Sequence, residues 1–165
     1  MLAELYWVKN LPYRLAIMPR PRAGEWLEDE IASLRRQGVD VIVSLLTPEE
    51  TTELELEQEA ACCRSAGIEF LSLPIEDRSV PPDPNAARIL IERLAGELRA
   101  GKAVAIHCRV GIGRSALVAA CVLAGLGINT DDAFGLIGEA RGCSVPDTDE
   151  QVEWVHRFSH GPVVT

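Results

Sequence analysis

Nearly continuous apolar, β-branched runs, recurring between helical patterns, constrain this chain more than any other feature. Val39–Leu45 and Lys102–His107 lack the polar alternation of a half-exposed strand, as strands covered on both faces require. Ile68–Leu73 is a third run, and Leu5–Val8 and Leu15–Met18 are shorter strand candidates. Helix-forming stretches lie between them. Trp26, Leu27, Glu30, Ile31 and Leu34 keep helical spacing up to a stop at Gly38, and Trp26 counts with Trp154 and Phe158 as core packing. Thr47-Pro48-Glu49-Glu50 is a helix start, with a capping hydroxyl, proline at the first position and acids on the positive dipole end. That helical region runs, with a break, to Ser65. Parallel strands need long crossovers, so the alternation predicts an α/β, three-layer domain: a central, mostly parallel sheet of four or five strands flanked by helices. One such domain accounts for residues 1–165.

Pro74 to Pro84 carries four prolines, at 74, 81, 82 and 84, and is expected to be irregular. Asn85–Ala100 reads as a helix capped by Asp83 and closed by Gly101. Three more helices fit Gly113–Leu126, Asp131–Arg141 and Thr148–Ser159. Thr130 is expected to mark the start of the second, and Asp147 with Glu150 to form a capping box on the third.

Composition excludes several classes. With 47% hydrophobic and 25% charged residues the chain is globular in character, not disordered. A net charge of −9 disfavours nucleic acid and anionic membranes as partners. The apolar stretch Ser115–Gly127 is too short to span a bilayer. No basic start leads into an apolar run at the N-terminus, so no secretory signal is expected. The cysteines are Cys62, Cys63, Cys108, Cys121 and Cys143, an odd count with no CxxC pair. That pattern fits free thiols in a reducing, cytoplasmic setting. Cys62, Cys63 and Cys121 sit in apolar helical settings and are expected to be buried and inert. His156 and His160 are four apart on a helix but lack a third ligand, so neither metal nor cofactor is expected. A monomer is the expectation.

The segment His107-Cys108-Arg109-Val110-Gly111-Ile112-Gly113-Arg114-Ser115 lies between an apolar strand and an Ala-rich helix. Backbone N–H groups of Arg109, Val110, Gly111, Ile112, Gly113 and Arg114 can converge on one centre and bind an anion. Gly111 and Gly113 let the loop curl, and the helix N-terminus adds partial positive charge. Arg114 supplies a planar fork for two oxygens of a tetrahedral dianion. The same field favours the thiolate of Cys108, the nucleophilic form. Ser115 is placed to donate its hydroxyl to that sulfur. His107 is expected to hold the loop by hydrogen bonds, since a thiolate already formed needs no base. Displacing phosphate from an oxygen also requires a proton for the leaving group, and Asp77, on the proline-rich loop after a strand, is the candidate acid.

These residues resemble the HCx5R(S/T) signature of the cysteine-dependent protein tyrosine phosphatase superfamily. With the Pro74-Ile75-Glu76-Asp77 loop and the continuation Ser115–Leu123, the chain is most similar to dual-specificity phosphatases of the cyclin-dependent-kinase-associated, kinase inhibitor 3-like group. The resemblance covers about Arg14 to Phe158. It implies hydrolysis of phosphate monoesters on phosphorylated proteins or peptides, through a phosphocysteine at Cys108, with Arg114 binding the phosphoryl oxygens and Ser115 assisting departure of the thiolate. It also places the general acid at Asp77 rather than Glu76 or Asp83. Within it, Gln151 is a supporting candidate for orienting water, weighed against an exposed polar residue in a first helical turn. Glu50 is read first as a dipole-favoured acid and second as a partner of Arg114. Arg20, Arg22 and Arg78 either ring the pocket or are solvated. Arg109, protruding from the cradle, is available for a second anionic group, which leaves phosphoinositide substrates open. A non-catalytic phosphoprotein-binding module and a rhodanese-like sulfurtransferase are the other readings of such a loop.

Overall fold

The computed structural model describes residues 4–160. Five strands form one sheet in the order β1-β2-β5-β3-β4: β1 (Tyr6–Trp7), β2 (Arg14–Met18), β3 (Val41–Ser44), β4 (Glu69–Ser72) and β5 (Ala103–His107). Only the edge pair β1–β2 is antiparallel. The pairs β2–β5, β3–β5 and β3–β4 are parallel. Every residue of β3 and β5 is buried, which explains why these two strands read as unbroken apolar runs. Alternate residues serve opposite faces. Leu15, Ile17, Val41, Val43, Val104 and Ile106 enter one core, whereas Met18, Ile42 and Ala105 enter the other.

The larger core lies under α4 (Pro84–Arg99), α5 (Arg114–Gly125), α6 (Thr130–Arg141) and α7 (Asp149–His160). Helix α5 is its axis. Arg114 through Leu123 are all buried, because small alanines let the helix sit among its neighbours with no solvent face. The smaller core gathers α1 (Leu27–Arg36) and α3 (Glu59–Ser65) on the opposite face, with α2 (Pro48–Glu53) at the end of β3.

Local chemistry sets most boundaries. Asp83 caps α4 by accepting from the N–H groups of Asn85 and Ala86, with Pro84 at the first position. Thr47 and Glu50 form a reciprocal capping box on α2. Helix α6 starts at Thr130, with the Asn129 side chain as its cap. Two expectations are corrected. On α7 the reciprocal pair is Thr148 with Gln151, not Asp147 with Glu150: Gln151 N–H donates to Thr148 Oγ1, and Gln151 Oε1 accepts from Thr148 N–H and Asp147 N–H. Trp26 ends a short 3-10 turn, Gly24–Trp26, where it is 47% exposed and carries the Arg22 guanidinium 4.6 Å from its ring. Trp154 and Phe158 do pack on the core, stacked with ring centroids 4.9 Å apart.

Register brings the strand ends together. His107 pairs with Met18 on one side and Ser44 on the other, and Ser44 pairs with Ser72. The chain leaves β2, β3, β4 and β5 at one edge of the sheet, where α/β folds place their ligands.

Candidate active site

The loop after β5 carries Cys108 to Gly113 into the N-terminus of α5. Cys108 is 3% exposed, and its sulfur has two donors: Ser115 Oγ at 2.9 Å and Gly111 N–H at 3.3 Å. Gly111 has φ +81°, and a Cβ there would lie 2.6–2.7 Å from the backbone of Met18 and Pro19, so the cradle closes against the end of β2 only because no side chain intervenes. Arg20 N–H donates to Arg109 C=O across the same seam. At Gly113 a side chain would collide with the Asp147 carboxylate, which packs directly on the start of α5.

Arg114 is 1% exposed, an extreme for an arginine. Glu50 holds it, with Oε1 at 2.6 Å from Nη1 and Oε2 at 3.1 Å from Nη2, and Ile75 C=O accepts from Nη1 at 2.8 Å. Burial pushes the Glu50 carboxyl up, but the Arg114 hydrogen bonds and charge, with the Thr47 N–H, more than reverse that and leave it below the usual carboxylate range. Arg114 shifts up: desolvation opposes its charge, and the bonds to Glu50 and the fields of Cys108 and Asp77 outweigh it. Glu50 is therefore both a first-turn acid and the anchor of Arg114, where the sequence suggested a choice between the two.

Asp77 stands 3.2 Å from Arg114 Nη2 and remains largely exposed. Its loop is rooted by Ile75, buried and donating its N–H to Leu45 C=O. It then turns back on itself, with Ser79 N–H donating to Glu76 C=O and Arg78 at φ +59°, a left-handed conformation that costs about 1 kcal/mol for a residue with a side chain. Gln151 pins this turn by donating from Nε2 to Ser79 C=O at 2.9 Å. The residue is fully buried, which corrects the expectation of an exposed polar side chain.

His107 is buried with Nε2 2.7 Å from Glu59 Oε2 and Nδ1 3.3 Å from Cys108 C=O, a bracing geometry rather than one aimed at a substrate. Arg109 is paired at the surface: Nη2 lies 2.9 Å from Glu53 Oε1, and Nη1 lies 3.7 Å from Glu50 Oε2. Arg22 is paired with Glu30. Val110 is exposed on the rim, and Ile112 is half-buried. Elsewhere, burial pushes the Cys63 thiol up to about 12 and raises Cys121 as well. Cys62 is half-buried and Cys143 exposed. His156 faces Asp131, and His160 is bonded to the His156 carbonyl. Among the described residues no group of three or more His, Cys, Asp or Glu could hold a metal ion, and no helix is long and apolar enough to cross a membrane.

Glu53, Glu59 and Arg141 had no place in the sequence reading. Arg141, at the end of α6, donates from Nε to Gly111 C=O at 3.1 Å and from Nη2 to Val110 C=O at 3.3 Å. Glu59 and Arg141 lie 48 and 30 positions from their partners, so no local pattern points to them.

A Cys-x5-Arg loop at the C-terminal edge of such a sheet is the arrangement of the dual-specificity and tyrosine phosphatase class. The chain belongs to the family described as polymorphic toxin system, DSP-PTPase phosphatase, whose model matches residues 16–127, more than half its length. It is similar to cyclin-dependent kinase inhibitor 3 of Rattus norvegicus, 28% identical over 134 residues that cover 80% of this chain. The match covers only 63% of that relative's own length. The fold is shared with kinase associated phosphatase bearing a serine in place of its catalytic site cysteine, at TM-score 0.85 and 22% identity, covering 97% of this chain and 96% of the other. PTPMT1 in complex with PI(5)P also shares it, at TM-score 0.74 and 19% identity, covering 89% and 90%.

Proposed function

We propose that the chain hydrolyses phosphate monoesters on phosphorylated proteins, with phosphotyrosine and phosphoserine or phosphothreonine as substrates, through a phosphocysteine intermediate. The observation that carries this reading is the Cys108 sulfur, buried at the base of an amide-lined loop and bonded by Ser115 Oγ and Gly111 N–H. The thiolate attacks phosphorus in line. Loop amides and Arg114 hold the equatorial oxygens and stabilise the charge of the transition state. The P–O bond to the leaving group breaks, and Asp77 gives its proton to the departing oxygen. Water then attacks phosphorus, Asp77 takes the proton released, and the P–S bond breaks as Ser115 stabilises the returning thiolate. In the resting site Asp77 is paired with Arg114. A bound phosphate dianion competes for that guanidinium.

A second reading, a phosphoinositide substrate, draws on the PTPMT1 fold. Arg109 pairs with the exposed Glu53 at the rim, a contact weak enough for either class of substrate to displace. Protein substrates also accord with the similarity to cyclin-dependent kinase inhibitor 3 and kinase associated phosphatase. Steady-state hydrolysis of p-nitrophenyl phosphate, a phosphotyrosine peptide, a phosphothreonine peptide and a soluble phosphoinositide, with chelator present, tests the proposal. Turnover of both peptides that is lost in Cys108→Ser is expected. Hydrolysis of the phosphoinositide alone, or undiminished turnover by Cys108→Ser, contradicts it.

A further inference from the structure

Two peptide planes of the cradle are held from behind by one side chain. In a trans peptide the C=O and the following N–H point in opposite directions. The Val110 carbonyl and the Gly111 N–H belong to one plane, and the Gly111 carbonyl and the Ile112 N–H to the next. Arg141 takes both carbonyls on its Nη2 and Nε, on the outer side of the loop. On the inner side the Gly111 N–H reaches Cys108 Sγ, so the first plane is seen bonded at both ends. The guanidinium is fixed in turn: the Tyr6 ring of β1 lies over it, 4.3 Å from centroid to carbon, and the Tyr6 hydroxyl donates to Glu4 Oε2. Gly111, at φ +81° with no side chain, offers little resistance of its own to rotation of these planes. A plane turned over would aim a carbonyl at the anion in place of a donor.

We infer that Arg141 is a positioning residue that sets the anion-binding state of the cradle, by keeping the Val110 and Gly111 carbonyls turned outward so that the Gly111 and Ile112 N–H groups face the phosphate. Tyr6 supports it by covering the guanidinium. The inference rests on the site being an anion cradle, but its readout does not require turnover.

The experiment is calorimetric binding of tungstate, a tetrahedral oxyanion, to the wild-type chain and to Arg141→Met, Arg141→Lys and Tyr6→Leu, with melting temperatures measured alongside. Arg141→Met should weaken tungstate roughly ten- to hundredfold, as loss of two hydrogen bonds to a cation would. Its Tm should stay within a few degrees of wild type, and added guanidinium should restore part of the affinity. Arg141→Lys keeps the charge but cannot bridge two carbonyls with a planar fork, so it should recover less than half of the loss on a logarithmic scale. Tyr6→Leu should weaken binding about threefold, as loss of one cation–π contact would. Tungstate bound equally by wild type and Arg141→Met overturns the inference and leaves the function proposal standing, as does full recovery by Arg141→Lys. Should the wild-type chain bind no tungstate, both fail. Tungstate binding without phosphatase turnover defeats the function proposal alone, and the variant series still decides the role of Arg141.

Discussion

Cys108 and Cys121 are both buried and lie on the same side of the sheet, at 3% and 1% exposure. Their surroundings differ in kind. Cys121 is enclosed in the middle of an apolar helix, and burial drives its thiol upward toward permanent protonation, outweighing a smaller opposing field from Arg88. Cys108 directly follows the last residue of β5, faces the start of α5, accepts from an amide and a hydroxyl, and has the buried Arg114 charge close by. Burial therefore does not separate a structural thiol from a candidate nucleophile. The donors do, and they are present because β5 stops at His107 and the chain turns through two glycines before resuming as a helix.

The same substitution at the two sites sharpens this contrast most. Cys108→Ser should lower kcat by more than about 10³-fold, because the hydroxyl is a poor nucleophile in an anion site, while retaining oxyanion binding. Cys121→Ser should leave kcat within a factor of two and cost about 1–3 kcal/mol of stability by burying a hydroxyl among alanines and leucines. Steady-state kinetics and urea unfolding on both variants measure this. Comparable losses of kcat at the two positions would break the comparison.

Asp77→Asn should reduce kcat by about 10²–10⁴-fold on esters with poor leaving groups, and far less on p-nitrophenyl phosphate, whose leaving group needs little protonation. A loss of equal size on both esters would move the acid elsewhere.

Glu50→Gln should lower stability by about 3 kcal/mol at neutral pH, since it leaves the Arg114 charge buried with half its partners. The pH dependence follows from the direction of the Glu50 shift. Its folded value lies below the ordinary 4.5, so its stabilising contribution is complete above that value and is lost as pH falls through the folded one. Urea midpoints of wild type and Glu50→Gln should converge as the pH is lowered below about 4.5. A gap that persists unchanged into strong acid would contradict the charge-based role of the pair.

Much of this arrangement is legible in the chain itself, and the parts that are not share a cause. Thr47 with Pro48, Asp83 with Pro84, and the glycines at 38 and 67 act on their immediate neighbours, so the elements they bound are readable locally. The cradle is readable because nine consecutive residues carry it. The bracing is not, because it comes from distant segments. Glu50 meets Arg114 across 64 positions, Glu59 meets His107 across 48, and Gln151 reaches Ser79 across 72. A buried Gln151 and an exposed Gln151 look alike in a polar first turn, and only the packing of α7 against the loop that carries Asp77 tells them apart. Trp26 shows the converse error: its helical spacing continues into a 3-10 turn whose residues are not buried.

The most direct test of the claim that donors, not burial, make Cys108 special is the rate at which each cysteine is alkylated by iodoacetate at neutral pH, mapped by mass spectrometry with and without inorganic phosphate. Cys108 should react fastest of the five, ahead of the exposed Cys143, and phosphate should protect it alone, while Cys63 and Cys121 stay unmodified in the folded chain. Alkylation of Cys108 no faster than of Cys121, or unaffected by phosphate, would contradict the account.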